Sequence, residues 1–131
     1  MTIAKWCVLA ACMLPILTVG VAKAASVRGH GAAGHYNNQQ PREWVSRLTG
    51  WQQRANAAQI NGFEALPLFI AAVLLAQMAQ ADQGQIDRLA LAFVGLRVVY
   101  GAVYLMNLGT LRTLVWTAGL LVCVALLRLA A

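Results

Sequence analysis

An all-α integral membrane protein, a bundle of four transmembrane helices in one domain over residues 1–131, is predicted by three features of this sequence. It is 60% hydrophobic and only 11% charged, where a soluble domain has about a quarter charged residues and about half apolar ones. Its mean hydropathy is +0.64. Its apolar residues gather into four runs, at about 3–22, 57–79, 86–106 and 110–129, each near the ~20 residues that a helix needs to cross hydrocarbon. The net charge of +6 comes from ten dispersed basic residues, a pattern that excludes a nucleic-acid face and suits membrane lipid. Cys7, Cys12 and Cys123 all lie inside apolar runs with no CxxC spacing, so they read as small apolar side chains rather than a disulfide framework or a metal site.

The first run, Ile3 to Ala22, can span a bilayer. It also has the parts of a signal peptide: Lys5, an apolar stretch, and Ala22-Lys23-Ala24 as a small-x-small cleavage site. The residues alone leave both readings open, the second giving a protein of three spans. Residues 26–53 form a polar connection rich in Gly, Asn and Gln, with Pro41 as the first-turn residue of a short helix through Leu48. Trp44, Val45 and Leu48 share one side of that helix, and Trp44 and Trp51 suit the headgroup region. His30 and His35, five apart without an intervening Cys or carboxylate, make a poor metal pair. The GHGAAGH run containing them lacks the Lys-Ser/Thr ending of a phosphate loop.

The second run carries Asn61, Glu64 and Pro67 inside RANAAQINGFEALPLFIAAVLL, residues 54–75. Polar groups in hydrocarbon cost several kcal/mol unless partnered, so they face a bundle interior or a watery cavity. Helical spacing puts Ala57, Asn61, Glu64 and Leu68 on one stripe. Asn61 and Glu64 are thus either site residues or glue between helices. Ala71, Ala72 and Ala76 permit close helix approach, and Pro67 frees the carbonyl of Phe63, predicting a kink one turn beyond Glu64.

A short turn, Gln80 to Gln85, leads to the third run, where Arg97, Tyr100 and Tyr104 fall on one helical face. An arginine in mid-span needs a counter-charge, and Glu64 is the acidic residue well inside another span, so an Arg97–Glu64 pair is expected. Asn107-Leu108-Gly109 makes a tight connection to the fourth run. Arg112, at the start of that run, either snorkels to the headgroups or lowers the pKa of a neighbouring thiol. Lys23, Arg28, Arg42, Arg47 and Arg54 in the first connection, with Arg112 near the third, place those connections in the cytoplasm.

The motifs RANAAQINGFEALPLF, residues 54–69, and RVVYGAVYLMNLGTLR, residues 97–112, resemble those of the MAPEG family, membrane-associated proteins in eicosanoid and glutathione metabolism that include many bacterial members. The N-x-x-E-x-x-P and R-x-x-Y-x-x-x-Y patterns carry the likeness, which extends from about Pro41 onward. The resemblance implies a four-helix bundle, usually a homotrimer, with glutathione as co-substrate between neighbouring subunits near the cytoplasmic face. It also implies that residues 3–22 are retained as the first helix, and it suits a bacterial inner membrane.

By position within those motifs, the resemblance assigns Gln59, Asn61 and Glu64 to glutathione, with Glu64 suited to its ammonium group. Tyr100 and Tyr104 match site tyrosines, Arg54 a motif arginine, and Arg97 the arginine that partners the second-helix glutamate. Arg112 matches the arginine that activates the glutathione thiol. Two positions depart: Ala57 stands where eicosanoid synthases have a carboxylate-binding arginine, and Ala65 where some have a tyrosine. The implied function is a glutathione transferase or peroxidase acting on lipophilic electrophiles or lipid hydroperoxides. The alternative is a non-catalytic protein of this fold that binds another small ligand or acts through assembly.

Overall fold

The computed structural model describes residues 1–31 and 33–131; residue 32, inside the GHGAAGH run, lies outside the described residues. Among the described residues, four long helices and one short one form: α1 (Ile3–Val27), α2 (Pro41–Ser46), α3 (Gly50–Met78), α4 (Gln83–Leu105) and α5 (Gly109–Leu129). The four long helices are each long and apolar enough to cross a membrane, so this is a multi-pass membrane protein. Large apolar side chains point outward from all four, including Leu17, Leu74, Val98 and Leu121. A surface facing hydrocarbon requires this.

Two helices begin or end beyond the apolar runs. α1 continues five residues past Ala22 to Val27, and α3 begins at Gly50 rather than near residue 57. The added turns, broken by Lys23 and Ser26 in α1 and by Gln52, Gln53 and Arg54 in α3, pack on each other. Gln52, only 1% exposed, donates Nε2 to the Ala22 carbonyl and to Ser26 Oγ at 3.0 and 2.9 Å. Trp44 of α2 is fully buried against the same serine, donating Nε1 to Ser26 Oγ at 3.0 Å. It does not anchor the headgroup region as its amphipathic ring suggests, because its one donor is satisfied inside the protein. Trp51 keeps a 38% exposed position. α2 ends at Ser46, short of Leu48; Trp44 and Leu48 turn inward while Val45 faces out.

Both tight turns use a residue in the left-handed region, Gln80 (φ 56°) after α3 and Asn107 (φ 61°) after α4. After α4, the Leu108 N–H donates to the Val103 carbonyl and the Asn107 N–H to that of Tyr104, closing the helix end in a Schellman motif. α5 can therefore start at Gly109, antiparallel to α4. α1 and α5 each pack on both α3 and α4 and flank that central pair on opposite sides.

The core away from the polar connection is apolar and fine-grained. Ala4, Cys7 and Ala11 of α1 meet Ala72, Val73 and Ala76 of α3, with Phe69 and Phe93 stacked at 3.9 Å between α3 and α4. Small side chains let these backbones approach closely. A second cluster around Trp44, Leu48, Val19 and Ala55 closes the opposite end. α3 runs through Pro67 without a break in its helical span.

Candidate functional site

Along α3, Asn61 falls between Ala55 of the second cluster and Phe69 of the first, and Arg97 of α4 falls between Phe93 and Leu105. The polar residues of the second and third runs thus meet in a layer between two apolar cores. Arg97 Nη2 donates to Asn61 Oδ1 at 3.0 Å. Its guanidinium lies 4.2 Å from the ring centroid of Tyr100, one turn along α4.

The expected Arg97–Glu64 pair does not form: among the described residues the ion pair within 4.0 Å is Arg47–Glu43, on the surface of the short helix region. Arg97 is only 9% exposed and reaches the more inward amide of Asn61, whereas Glu64, one turn further along α3, is on the open side. Both line one cavity all the same.

From Tyr100 the aromatic chain continues. Tyr104 stands edge-on to it, with centroids 5.6 Å apart at 76°, and the Arg112 guanidinium lies 4.4 Å from the Tyr104 ring. The turn at Asn107 brings this about, since it folds the first turn of α5 back beside the last turns of α4. Asn61, Arg97, Tyr100, Tyr104 and Arg112 are therefore neighbours in one line, two of them cations held on aromatic faces, an attraction of about 0.5–2 kcal/mol each.

Two adjoining spaces that share wall residues open along this line. A recess of about 230 Å³ is bordered by Asn61, Tyr100, Arg112, Thr113 and Trp116. Beside it, sharing Asn61 and Trp116, a cavity of about 190 Å³ runs between α3, α4 and α5. Its walls are polar at Asn61, Glu64 and Arg97, and otherwise apolar, with Leu68, Phe93, Leu120 and Cys123. The Asn61, Glu64 and Leu68 part of the predicted stripe faces it.

Two assigned residues stand apart from these spaces. Arg54 donates Nε to the Leu105 carbonyl at 3.0 Å, closing the C-terminus of α4 with a cation where the helix dipole favours one. Gln59 is partly buried and borders neither space; two residues from Asn61, it points to nearly the opposite side of α3. Conversely, α5 contributes a face that motif reading passed over. Arg112, Trp116, Gly119 and Cys123 recur at i, i+4, i+7 and i+11 and all line the two spaces, so helical spacing counted forward from Arg112 would have found them.

This architecture agrees with a comparison of the sequence with family models. The model described as the MAPEG family matches residues 3–131, extending the likeness from the region after Pro41 to the first helix as well. Neither the curated proteins nor the solved structures yield a match. With four apolar helices and a family match over essentially its whole length, the chain belongs to the MAPEG family.

Proposed function

We propose that the protein is a glutathione-dependent membrane enzyme, a transferase or peroxidase acting on lipophilic electrophiles or lipid hydroperoxides. The observation that carries this reading is the junction of a cationic recess at Arg112 with an apolar cavity at Phe93 and Leu120, which share Asn61 and Trp116 as walls. A hydrophilic thiol and a lipophilic acceptor can meet there, raising their effective concentration. The donor set fits glutathione: guanidinium and amide groups suit its carboxylates and sulfur, and the Glu64 carboxylate, with no partner of its own among the described residues, suits its ammonium group.

In this reading the Arg112 cation favours the thiolate over the thiol, the proton passing to solvent. The sulfur then forms a bond to the electrophilic carbon as the leaving group departs with its electron pair. With a hydroperoxide, the sulfur bonds to the terminal oxygen, which keeps its hydrogen, the O–O bond breaks and the alkoxide leaves with the electron pair, taking a proton from solvent to become the alcohol. A second glutathione then reduces the resulting sulfenic acid, giving glutathione disulfide and water. Tyr100 and Tyr104 hold the two guanidinium groups in place. The family resemblance supports a homotrimer, in which Gln59 and the terminal nitrogens of Arg54 serve the glutathione at a subunit boundary. The Lys and Arg of the first connection support placing the site at the cytoplasmic face, and the family resemblance suits a bacterial inner membrane.

The test is calorimetric titration of glutathione into detergent-solubilised protein, with ultraviolet detection of the thiolate, for the wild type and Arg112→Ala. Saturable binding with thiol ionisation that Arg112→Ala abolishes is the expected result. No ionisation on adding glutathione, together with unchanged activity in Arg112→Ala, overturns the proposal. A second reading, a non-catalytic protein that binds another small anion, is favoured by Ala57, one turn before Asn61 on the same stripe of α3. It is selected by a complete absence of binding at millimolar glutathione.

A further inference from the structure

A guanidinium carries five N–H donors and no acceptor, whereas a side-chain amide has one accepting and one donating end. The contact between Arg97 and Asn61 therefore has only one satisfactory polarity. The Asn61 oxygen faces Arg97 Nη2 at 3.0 Å. The opposite orientation would set the amide NH2 against a nine-tenths buried guanidinium, two donors facing each other where an unmade bond is costly.

With its oxygen committed, Asn61 is left with a free NH2, which donates to no protein acceptor among the described residues. Asn61 borders the recess that holds Tyr100, Arg112, Thr113 and Trp116. The Thr113 hydroxyl donates to the Gly109 carbonyl at 3.2 Å, so its hydrogen is taken. The donors left to the recess are Arg112, the Asn61 amide, the Tyr100 hydroxyl and the Trp116 indole N–H, while Glu64 borders only the neighbouring cavity.

We infer that Arg97 is a positioning residue: it locks the Asn61 amide with its NH2 toward the Arg112 recess, so that Asn61 and Arg112 together donate to the anionic sulfur. The inference rests on the glutathione reading above and deepens it. An anion accepts from every donor in such a recess, while a protonated thiol brings a hydrogen of its own, so the arrangement discriminates between the two forms. Arg97 then governs thiol ionisation without touching the sulfur.

The experiment measures thiolate absorbance against pH at saturating glutathione, using the full chain in detergent, for the wild type and for Asn61→Asp, Arg97→Lys and Arg97→Gln. Lysine, like arginine, only donates and keeps the lock. Glutamine can also accept from Asn61 and releases it. At a fixed pH below the wild-type midpoint, Asn61→Asp should lower the thiolate fraction of bound glutathione about tenfold or more, the loss of one charge-assisted hydrogen bond. Arg97→Gln should lower it several-fold and Arg97→Lys by less than about twofold, by the same reasoning. If the aspartate variant does not fold, the lysine and glutamine pair still decides. Equal thiolate fractions in Arg97→Lys and Arg97→Gln, or a wild-type fraction in Asn61→Asp, overturn the inference while leaving the enzyme proposal standing. Failure of the wild type to ionise glutathione overturns both, and is seen before any variant is made.

Discussion

Gly62 of α3 lies directly beneath the ring of Pro15 of α1: a Cβ added at Gly62 would stand 2.6 Å from Pro15 Cγ and 3.0 Å from its Cβ. A pyrrolidine ring cannot swing aside as a flexible side chain would, so the two helices would have to separate. Overpacking of this kind costs about 1–3 kcal/mol, which outweighs the ~1 kcal/mol that alanine gains over glycine in a helix. Gly62→Ala should therefore lower the unfolding temperature in detergent, and under the proposed function it should also weaken glutathione binding, because Asn61 is the adjoining residue. Gly95→Ala on α4, where a Cβ meets nothing within 4 Å, should leave both unchanged or raise stability. Equal behaviour of the two variants would remove the contact from the account of α1–α3 packing.

The polar clasp at the other end of α1 makes a second test. Gln52 Nε2 reaches both the Ala22 carbonyl and Ser26 Oγ, and Ser26 also accepts from Trp44 Nε1. Leucine at position 52 has similar bulk but supplies no donor, leaving part of this buried set unsatisfied at about 1–3 kcal/mol. Gln52→Leu should unfold at lower temperature and be cleaved faster by protease within residues 28–40. An unchanged cleavage rate would show that the connection is held by Trp44 packing alone.

Hydrophobic run length made the four spans legible, and Asn107-Leu108-Gly109 announced the turn that sets Arg112 beside Tyr104. The polar extensions of α1 and α3 were not legible, because Lys23–Val27 and Gly50–Asn56 lack apolar runs and become helix through contacts made by Gln52, Ser26 and Trp44. Asn61, Glu64, Arg97, Tyr100 and Arg112 could be singled out as polar groups in apolar context, and the fold brings them to two adjoining spaces. Which of them touch could not be read, since a carboxylate and an amide three residues apart both lie within an arginine's reach. Sequence favours the charge pair; burial favoured the amide. Trp116 and Gly119 escape notice and Cys123 reads only as a small apolar side chain, because an apolar residue in a membrane span shows its cavity-facing side only through its spacing from a polar one such as Arg112.

Glu64 makes no hydrogen bond or ion pair with another side chain among the described residues, although it lines the cavity with Arg97. Its two roles, helix glue and ligand contact, thus predict opposite patterns. As glue, Glu64→Gln would lower the unfolding temperature. As a ligand contact, it would spare stability and weaken glutathione by about ten- to a hundredfold, the loss of one charge-assisted contact. The proposed function expects the second pattern, and calorimetry and thermal unfolding on the same preparation would separate the two.

Cys123, 1% exposed, forms part of the cavity wall, apart from the Arg112 recess. Leucine there would project into a space of about 190 Å³ whose lining includes neither Arg112, Tyr100 nor Thr113 of the recess. Glutathione affinity and thiol ionisation should therefore persist in Cys123→Leu. Turnover of bulky lipophilic acceptors should fall, since one methylene of lost room in an apolar pocket is worth about 1–3 kcal/mol, or roughly 10–200-fold in kcat/KM. Compact acceptors should be affected less, and Cys123→Ser, which keeps the volume, should behave as wild type toward both. A uniform loss across acceptor sizes, or loss in Cys123→Ser alone, would mean that the cavity does not receive the acceptor and that the thiol itself matters.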